Sequence, residues 1–273
     1  MEYEIKPKSK LTLGLNELWH YRELFYFFTW RDIKVKYKQT VLGFAWAVLQ
    51  PLAMTLLLSI SLGKIISNAG GITIPYPLFA MSGLIIWNIF ASGLSSAGNS
   101  MVSNANIIKK IYFPRLIIPI SSVLVSFFDF LMAFVVFIGM LIYYHTYILI
   151  GEFLIFLPMS VLVACIATFG LGSLLAALNI KYRDFRYIIP FLIQAMFFIT
   201  PVIYPINVIS NPLMRYLFAI NPMYAPLELF KHPIIKNHLD MNLIMVSLFS
   251  SIVFFIFGLF YFRKTESYFA DLA

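Results

Sequence analysis

The sequence predicts an all-α integral membrane protein. It would have six transmembrane helices, an N-terminal amphipathic interfacial helix, re-entrant helices before the last span, and both termini cytoplasmic. Three observations carry this prediction. First, 61% of the 273 residues are hydrophobic and 12% charged, with a mean hydropathy of +0.86, too apolar for a soluble domain. Second, charge-free runs recur that are long enough to cross ~30 Å of hydrocarbon, which takes about 20 residues. Third, the basic residues gather in alternate connections between those runs, as cytoplasmic loops do. The formal charge of +8 accordingly reads as membrane orientation. Nucleic-acid binding would need the bases on a polar face, and here they flank apolar runs.

Taken in order, residues 1–40 form a cytoplasmic tail and an amphipathic helix, and 41–273 the membrane domain. Residues 1–10, with Lys6, Pro7, Lys8 and Lys10, read as a flexible tail. From Leu15 to about Lys38 the pattern is helical. Tyr26, Trp30, Ile33 and Tyr37 make one apolar-aromatic stripe, and Arg31, Lys34 and Lys38 share another face. Asp32 precedes Lys36 by four residues, the favourable order for an ion pair. Such a helix would lie in the membrane interface with its lysines reaching towards lipid phosphate, although the same bases would also serve orientation alone. No signal-peptide pattern precedes the first apolar run, which is expected to act as an uncleaved anchor.

Span one is expected at Val41–Gly63. Asn68, Gly70, Gly71, Pro75 and Pro77 then break the apolar run into an outside loop. Further spans follow at about 78–100, Leu116–Tyr144, Phe153–Ile180, 187–204 (from an apolar run Tyr187–Met214 that breaks at Pro201 and Pro205) and Met241–Phe262. With the N-terminus inside, sixteen of the twenty Lys/Arg fall on the cytoplasmic side, leaving Lys64, Arg215, Lys231 and Lys236 outside. In span four, Ser160, Ala164, Thr168, Gly172 and Ala176 form a small-residue stripe on which another helix could pack closely, with a shorter version at Gly43 and Ala47. Segment 205–240 is rich in Pro and Asn yet apolar, which suggests two short helices dipping back from the outer face. Broken helices survive at membrane depth only when buried in protein or lining a cavity.

Enzymatic chemistry finds no support. Gly63-Lys64 is followed by Ile65 and lacks the upstream glycine of a phosphate-binding loop. No zinc-protease or nucleophile-elbow motif occurs, and His20, His145, His232 and His238 share no metal spacing. Cys165 reads as a small apolar residue in a packed helix. Asp129 is the one acid well inside a span. A proton relay would need a second titratable group, which the other spans do not offer, so a polar contact with a neighbouring helix is the better reading. No inverted repeat between the halves supports an ion-coupled carrier. Two inner loops suit a partner. One starts with an N-cap signal at 103–106, continues as a short helix Ile107–Phe113 with Lys109 and Lys110, and closes at Pro114. The other, 179–187, packs Lys181, Arg183, Asp184 and Arg186 between Tyr182, Phe185 and Tyr187. Positive-inside charge alone is the competing explanation.

Together, W-R-D-I-K-V-K-Y-K-Q-T-V-L-G-F-A-W-A-V-L-Q-P (30–51), N-A-N-I-I-K-K-I-Y-F-P-R (104–115), A-L-N-I-K-Y-R-D-F (177–185), I-N-P-M (220–223) and E-S-Y-F-A-D-L (266–272) resemble the ABC-2 type permeases that export polysaccharides. The resemblance runs through essentially the whole chain. It implies a homodimer of such subunits, each bound to a separate ABC ATP-binding subunit that carries ATP and Mg, with no cofactor on this chain. The cargo would be a glycan on a lipid diphosphate. Arg31, Lys34 and Lys38 would meet that diphosphate on a cytoplasmic gate helix, with Leu42–Gly43 as the bend into span one. Asn104, Ile107, Ile108, Lys109, Lys110, Tyr112 and Phe113, with Arg183 and Asp184, would couple to the ATPase. Segment 205–240 would form the outer gate, and Trp46, Trp87, Phe197 and Phe198 would line the sugar path. The alternatives are an ABC-2 permease for a drug or lipid, and an ion-coupled carrier using Asp129.

Overall fold

The computed structural model describes residues 15–266 except 39, 41, 69–71 and 237, together with Phe269. The tail expected over 1–10 and most of the 266–272 ending lie outside the described residues. All elements among the described residues are helical. Helices α1 (Leu15–His20) and α2 (Arg22–Lys38) lead through a turn at 42–44 into α3 (Ala45–Asn68). Then come α4 (Tyr76–Ser103), α5 (Ala105–Lys110), α6 (Ile117–Tyr143), α7 (Ile150–Lys181) and α8 (Phe185–Ile199). A 3-10 turn at Ile206–Val208 precedes α9 (Pro212–Ala219), α10 (Tyr224–Ile235) and α11 (Met241–Glu266).

Five helices, α3, α4, α6, α7 and α11, are long and apolar enough to cross a membrane. The expected fifth span is the 15-residue α8, about 22 Å at 1.5 Å per residue and shorter than the hydrocarbon layer. It stops because Thr200 precedes Pro201 and takes the extended backbone (ψ 138°) that a following proline enforces. The first span starts at Ala45, four residues later than expected, and continues to Asn68. Lys64 therefore sits inside the helix and not in an outer loop.

The bundle is organised around α4. In its most apolar stretch 78% of residues are buried, against 17% in α3, so α4 is a protein-enclosed axis and α3 a peripheral helix. Small residues set these approaches. The stripe Ser160, Ala164, Thr168, Gly172 and Ala176 is buried. A Cβ placed on Gly93 of α4 would come 2.5 Å from the Thr168 methyl, and one on Gly172 would come 2.8 Å from Ala97. The opposite side of α7 meets α11 still more closely, where a Cβ on Gly258 would overlap the Gly170 carbonyl oxygen. In segment 205–240, α10 is buried along almost its whole length. Its Phe230 packs on Phe137 and Phe153 at ring distances of 5.5 and 6.0 Å. The shorter α9 exposes Leu213, Met214 and Leu217.

Candidate functional site: a basic cleft and its anchors on helix α2

Helix α2 runs along α6. Its first half packs Phe28 on Phe113, just before α6, at 5.5 Å. Its last turns bury Ile33 and Tyr37 against Val125 and Phe128. The predicted stripe therefore splits. Ile33 and Tyr37 face α6, while Tyr26, largely exposed, and Trp30, half-exposed, stack on each other at 6.3 Å.

The outward face carries Arg31, Lys34 and Lys38, which with Phe27, Trp30 and Val35 line an open cleft of about 340 Å³. Lys34 Nζ stands 5.2 Å from the Trp30 ring centre. Arg31 is only partly available to a ligand. It lies 4.7 Å over the Phe28 ring, donates to Asp32 Oδ1 at 2.9 and 2.7 Å, and donates to Asn104 Oδ1 at 2.7 Å. Asp32 thus engages Arg31, and the expected Asp32–Lys36 pair is corrected. Lys36 projects to the opposite side and, with the Tyr37 hydroxyl, donates to the Asp129 carboxylate of α6. Asp129 has the partner that its own span composition did not reveal, and it is a contact with a neighbouring helix. Burial, reinforced by Asp129, pushes the Tyr37 hydroxyl far above its ordinary range, so it remains protonated and donating.

Beyond Lys38 the chain turns at Leu42–Gly43–Phe44, with Gly43 in the left-handed region (φ +50°). Glycine takes that conformation without the Cβ clash other residues meet. The Phe44 ring packs 4.7 Å from Tyr37 and 5.9 Å from Phe128, tying the turn to the end of α2 and to α6.

The short helix expected at Ile107–Phe113 lies earlier in the connection after α4, at Ala105–Lys110. Helix α5 ends at Lys110, and 111–114 is non-helical. Asn104 precedes α5, but its side chain makes no cap. Its amide donates to Ser100 O at 2.8 Å, and its Oδ1 accepts from Arg31. Ile108 and Phe113 are buried and Ile107 half-buried, while Lys109, Lys110 and Tyr112 face outward. Arg183 and Asp184 are exposed in the turn joining α7 to α8. That turn stands at the same end of the bundle, since Asn179 donates to Gly98 O (2.9 Å) and Asn99 Oδ1 (3.1 Å) near the end of α4.

The proposed path residues divide. Trp46 is half-exposed at the start of α3, and Phe198 is 62% exposed. Trp87 is 4% exposed, packed 5.2 Å from Phe90 and 5.6 Å from Phe197. It is a core residue, and the expectation that it lines an open passage is corrected for the single chain.

One polar centre escaped sequence reasoning. Lys231, counted there among outside-loop cations, is 1% exposed. Its ammonium donates to Pro201 O at 2.7 Å and Val202 O at 2.9 Å, and sits 4.1 Å from the Phe79 ring centre, with the Glu228 carboxylate in electrostatic reach. The available signal was a Glu and a Lys three apart in a helix that is apolar apart from Tyr224 and His232. Among the described residues, no group of three or more His, Cys, Asp or Glu side chains could hold a metal ion.

Comparison with known proteins matches this architecture. The chain is 28% identical over 267 residues to the O-antigen export system permease protein RfbA of Klebsiella pneumoniae, covering 97% of this chain and 98% of that protein. A second Klebsiella pneumoniae protein of that name is 32% identical over 205 residues, 75% of each chain. The polysialic acid transport protein KpsM of Escherichia coli is 27% identical over 192 residues, 68% of this chain and 72% of that one. The family model for the ABC-2 type transporter matches residues 23–234, from the start of α2 to the end of α10. With α2 and the five long apolar helices in place, this chain belongs to the ABC-2 type transporter family of membrane proteins.

Proposed function

We propose that this chain is the membrane-spanning permease subunit of an ATP-driven exporter that moves lipid-linked polysaccharide, O antigen or a similar glycan, across the cytoplasmic membrane. The observation that carries the reading is the cleft on α2. Arg31, Lys34 and Lys38 supply cations suited to a lipid diphosphate, and Phe27 and Trp30 supply flat apolar surface beside them. The relatives are named for O-antigen export and polysialic acid transport, which supports a polysaccharide as cargo.

In this reading the protein is a homodimer surrounded by membrane lipids, each copy seated on a separate ATP-binding subunit that holds ATP and Mg. Lys109, Lys110 and Tyr112, with Arg183 and Asp184, form the exposed seat; Asn104, Ile107, Ile108 and Phe113 anchor it from the permease side. Six crossings are completed by α8 and the chain through Pro205, with α9 and α10 re-entering from outside as the outer gate and both termini cytoplasmic. Helix α2 is the cytoplasmic gate, bending at Leu42–Gly43, and Trp46, Phe197 and Phe198 border the sugar path.

Replacing Arg31, Lys34 and Lys38 together by Gln tests the proposal. Surface polysaccharide should fall, and lipid-linked glycan should accumulate on the cytoplasmic side. Unchanged surface polysaccharide at equal protein level would remove the cleft's assigned role.

A further inference from the structure

Asp129 belongs neither to the basic cleft nor to the inner loops. It stands twelve residues after the first residue of α6, about 18 Å along the axis at 1.5 Å per residue. A lone carboxylate at that depth is costly, and its side chain is only 13% exposed. Two consecutive residues of α2 engage it, Lys36 through an ion pair and Tyr37 through its hydroxyl. Lys36 also reaches Ser92 Oγ of α4 at 3.4 Å, so the clasp joins three helices. At about 100° per residue, Lys36 lies about 160° around α2 from both Lys34 and Lys38. Anchoring Lys36 to α6 therefore turns the other two lysines outward into the cleft. Six residues beyond Tyr37 comes the left-handed turn at Gly43.

We propose that Asp129 is a positioning residue that latches α2. By holding Lys36 and Tyr37 it sets the rotation of the helix and so the presentation of Lys34 and Lys38, and α2 swings about the Gly43 turn only when the Lys36–Asp129 pair opens. The swing rests on the gate reading above; the latch does not.

Hydrogen–deuterium exchange of the purified chain in lipid nanodiscs tests it. In Asp129→Asn, the amides of residues 33–38 should exchange at least about tenfold faster, the scale of a lost charge-assisted hydrogen bond. The charge swap Lys36→Asp/Asp129→Lys should return them to within about threefold of the parent. If Asp129→Asn fails to fold, the pair Lys36→Met/Asp129→Leu removes the clasp without leaving a charge unmatched and should show the same acceleration. Exchange within about twofold of the parent in the clasp-free protein, or no recovery in the swap, overturns the latch whatever export does. Faster exchange with unchanged surface polysaccharide upholds the latch and removes the gate reading instead.

Discussion

Replacing Lys231 by Met keeps the length of the side chain and its packing on Phe79 while deleting the ammonium. Two buried carbonyls, Pro201 O and Val202 O, would then lose donors now at 2.7 and 2.9 Å. Each such loss costs about 1–3 kcal/mol. Glu228, itself 5% exposed, would also lose a neighbouring positive charge. Breaking one side of a buried pair costs about 3–5 kcal/mol, and we take that range as the total, because the carbonyl and carboxylate effects describe one event. At about 2–4 °C per kcal/mol for chains of 150–250 residues, the melting temperature should drop by roughly 6–20 °C. The assay is thermal unfolding of the detergent-purified protein, followed by fluorescence-detected size exclusion. The companion Glu228→Leu/Lys231→Met removes both charges and should recover a good part of the loss, since an apolar replacement of a buried pair is often neutral. A melting point within about 2 °C of the parent for Lys231→Met would refute the clamp, as would a double variant no more stable than the single.

Gly258→Ala should destabilise by about 1–3 kcal/mol, because its Cβ meets the Gly170 backbone, which cannot yield as a side chain would; an unchanged melting temperature contradicts the close α7–α11 contact. Substituting Lys109, Lys110 and Tyr112 by Ala should abolish co-purification of an ATP-binding subunit at nearly unchanged melting temperature. By contrast, Ile108→Ala and Phe113→Ala should cost about 2–5 kcal/mol of stability, being buried. Pull-down and melting measured on both sets should separate the outward face of the loop from its anchor. For Arg31→Ala and Asn104→Ala, a double-mutant cycle on melting should show coupling of about 1 kcal/mol, since both lose the same 2.7 Å bond; strict additivity would show that the contact contributes nothing.

How far the sequence reached depended on the range of the interaction concerned. Five helices long enough to cross the membrane were legible, because about twenty apolar residues in a row is a property of the segment itself. The α7 stripe was legible for the same reason: a four-residue repeat of small side chains is written in one helix. So was the grouping of Arg31, Lys34 and Lys38, which follows from helical spacing alone, and so was Gly43 as a bend. The end of α8 was legible in Pro201, which disfavours the helical backbone at Thr200.

What tertiary structure alone decided was the partner of each charge. Within α2 the sequence offered Asp32 to Lys36, yet Arg31 took Asp32 and Lys36 crossed to Asp129, 93 residues away. Lys231 resembled a loop cation until α10 was seen inserted in the core with two carbonyls from another segment turned towards it. Trp87 looked as available as Trp46 until α4 was found to be the buried axis. The physical reason is common to these cases. Hydropathy and periodicity fix the environment of a helix face from its own residues, whereas an ion pair or a buried donor is satisfied by whichever group the packing of other helices brings within about 3 Å.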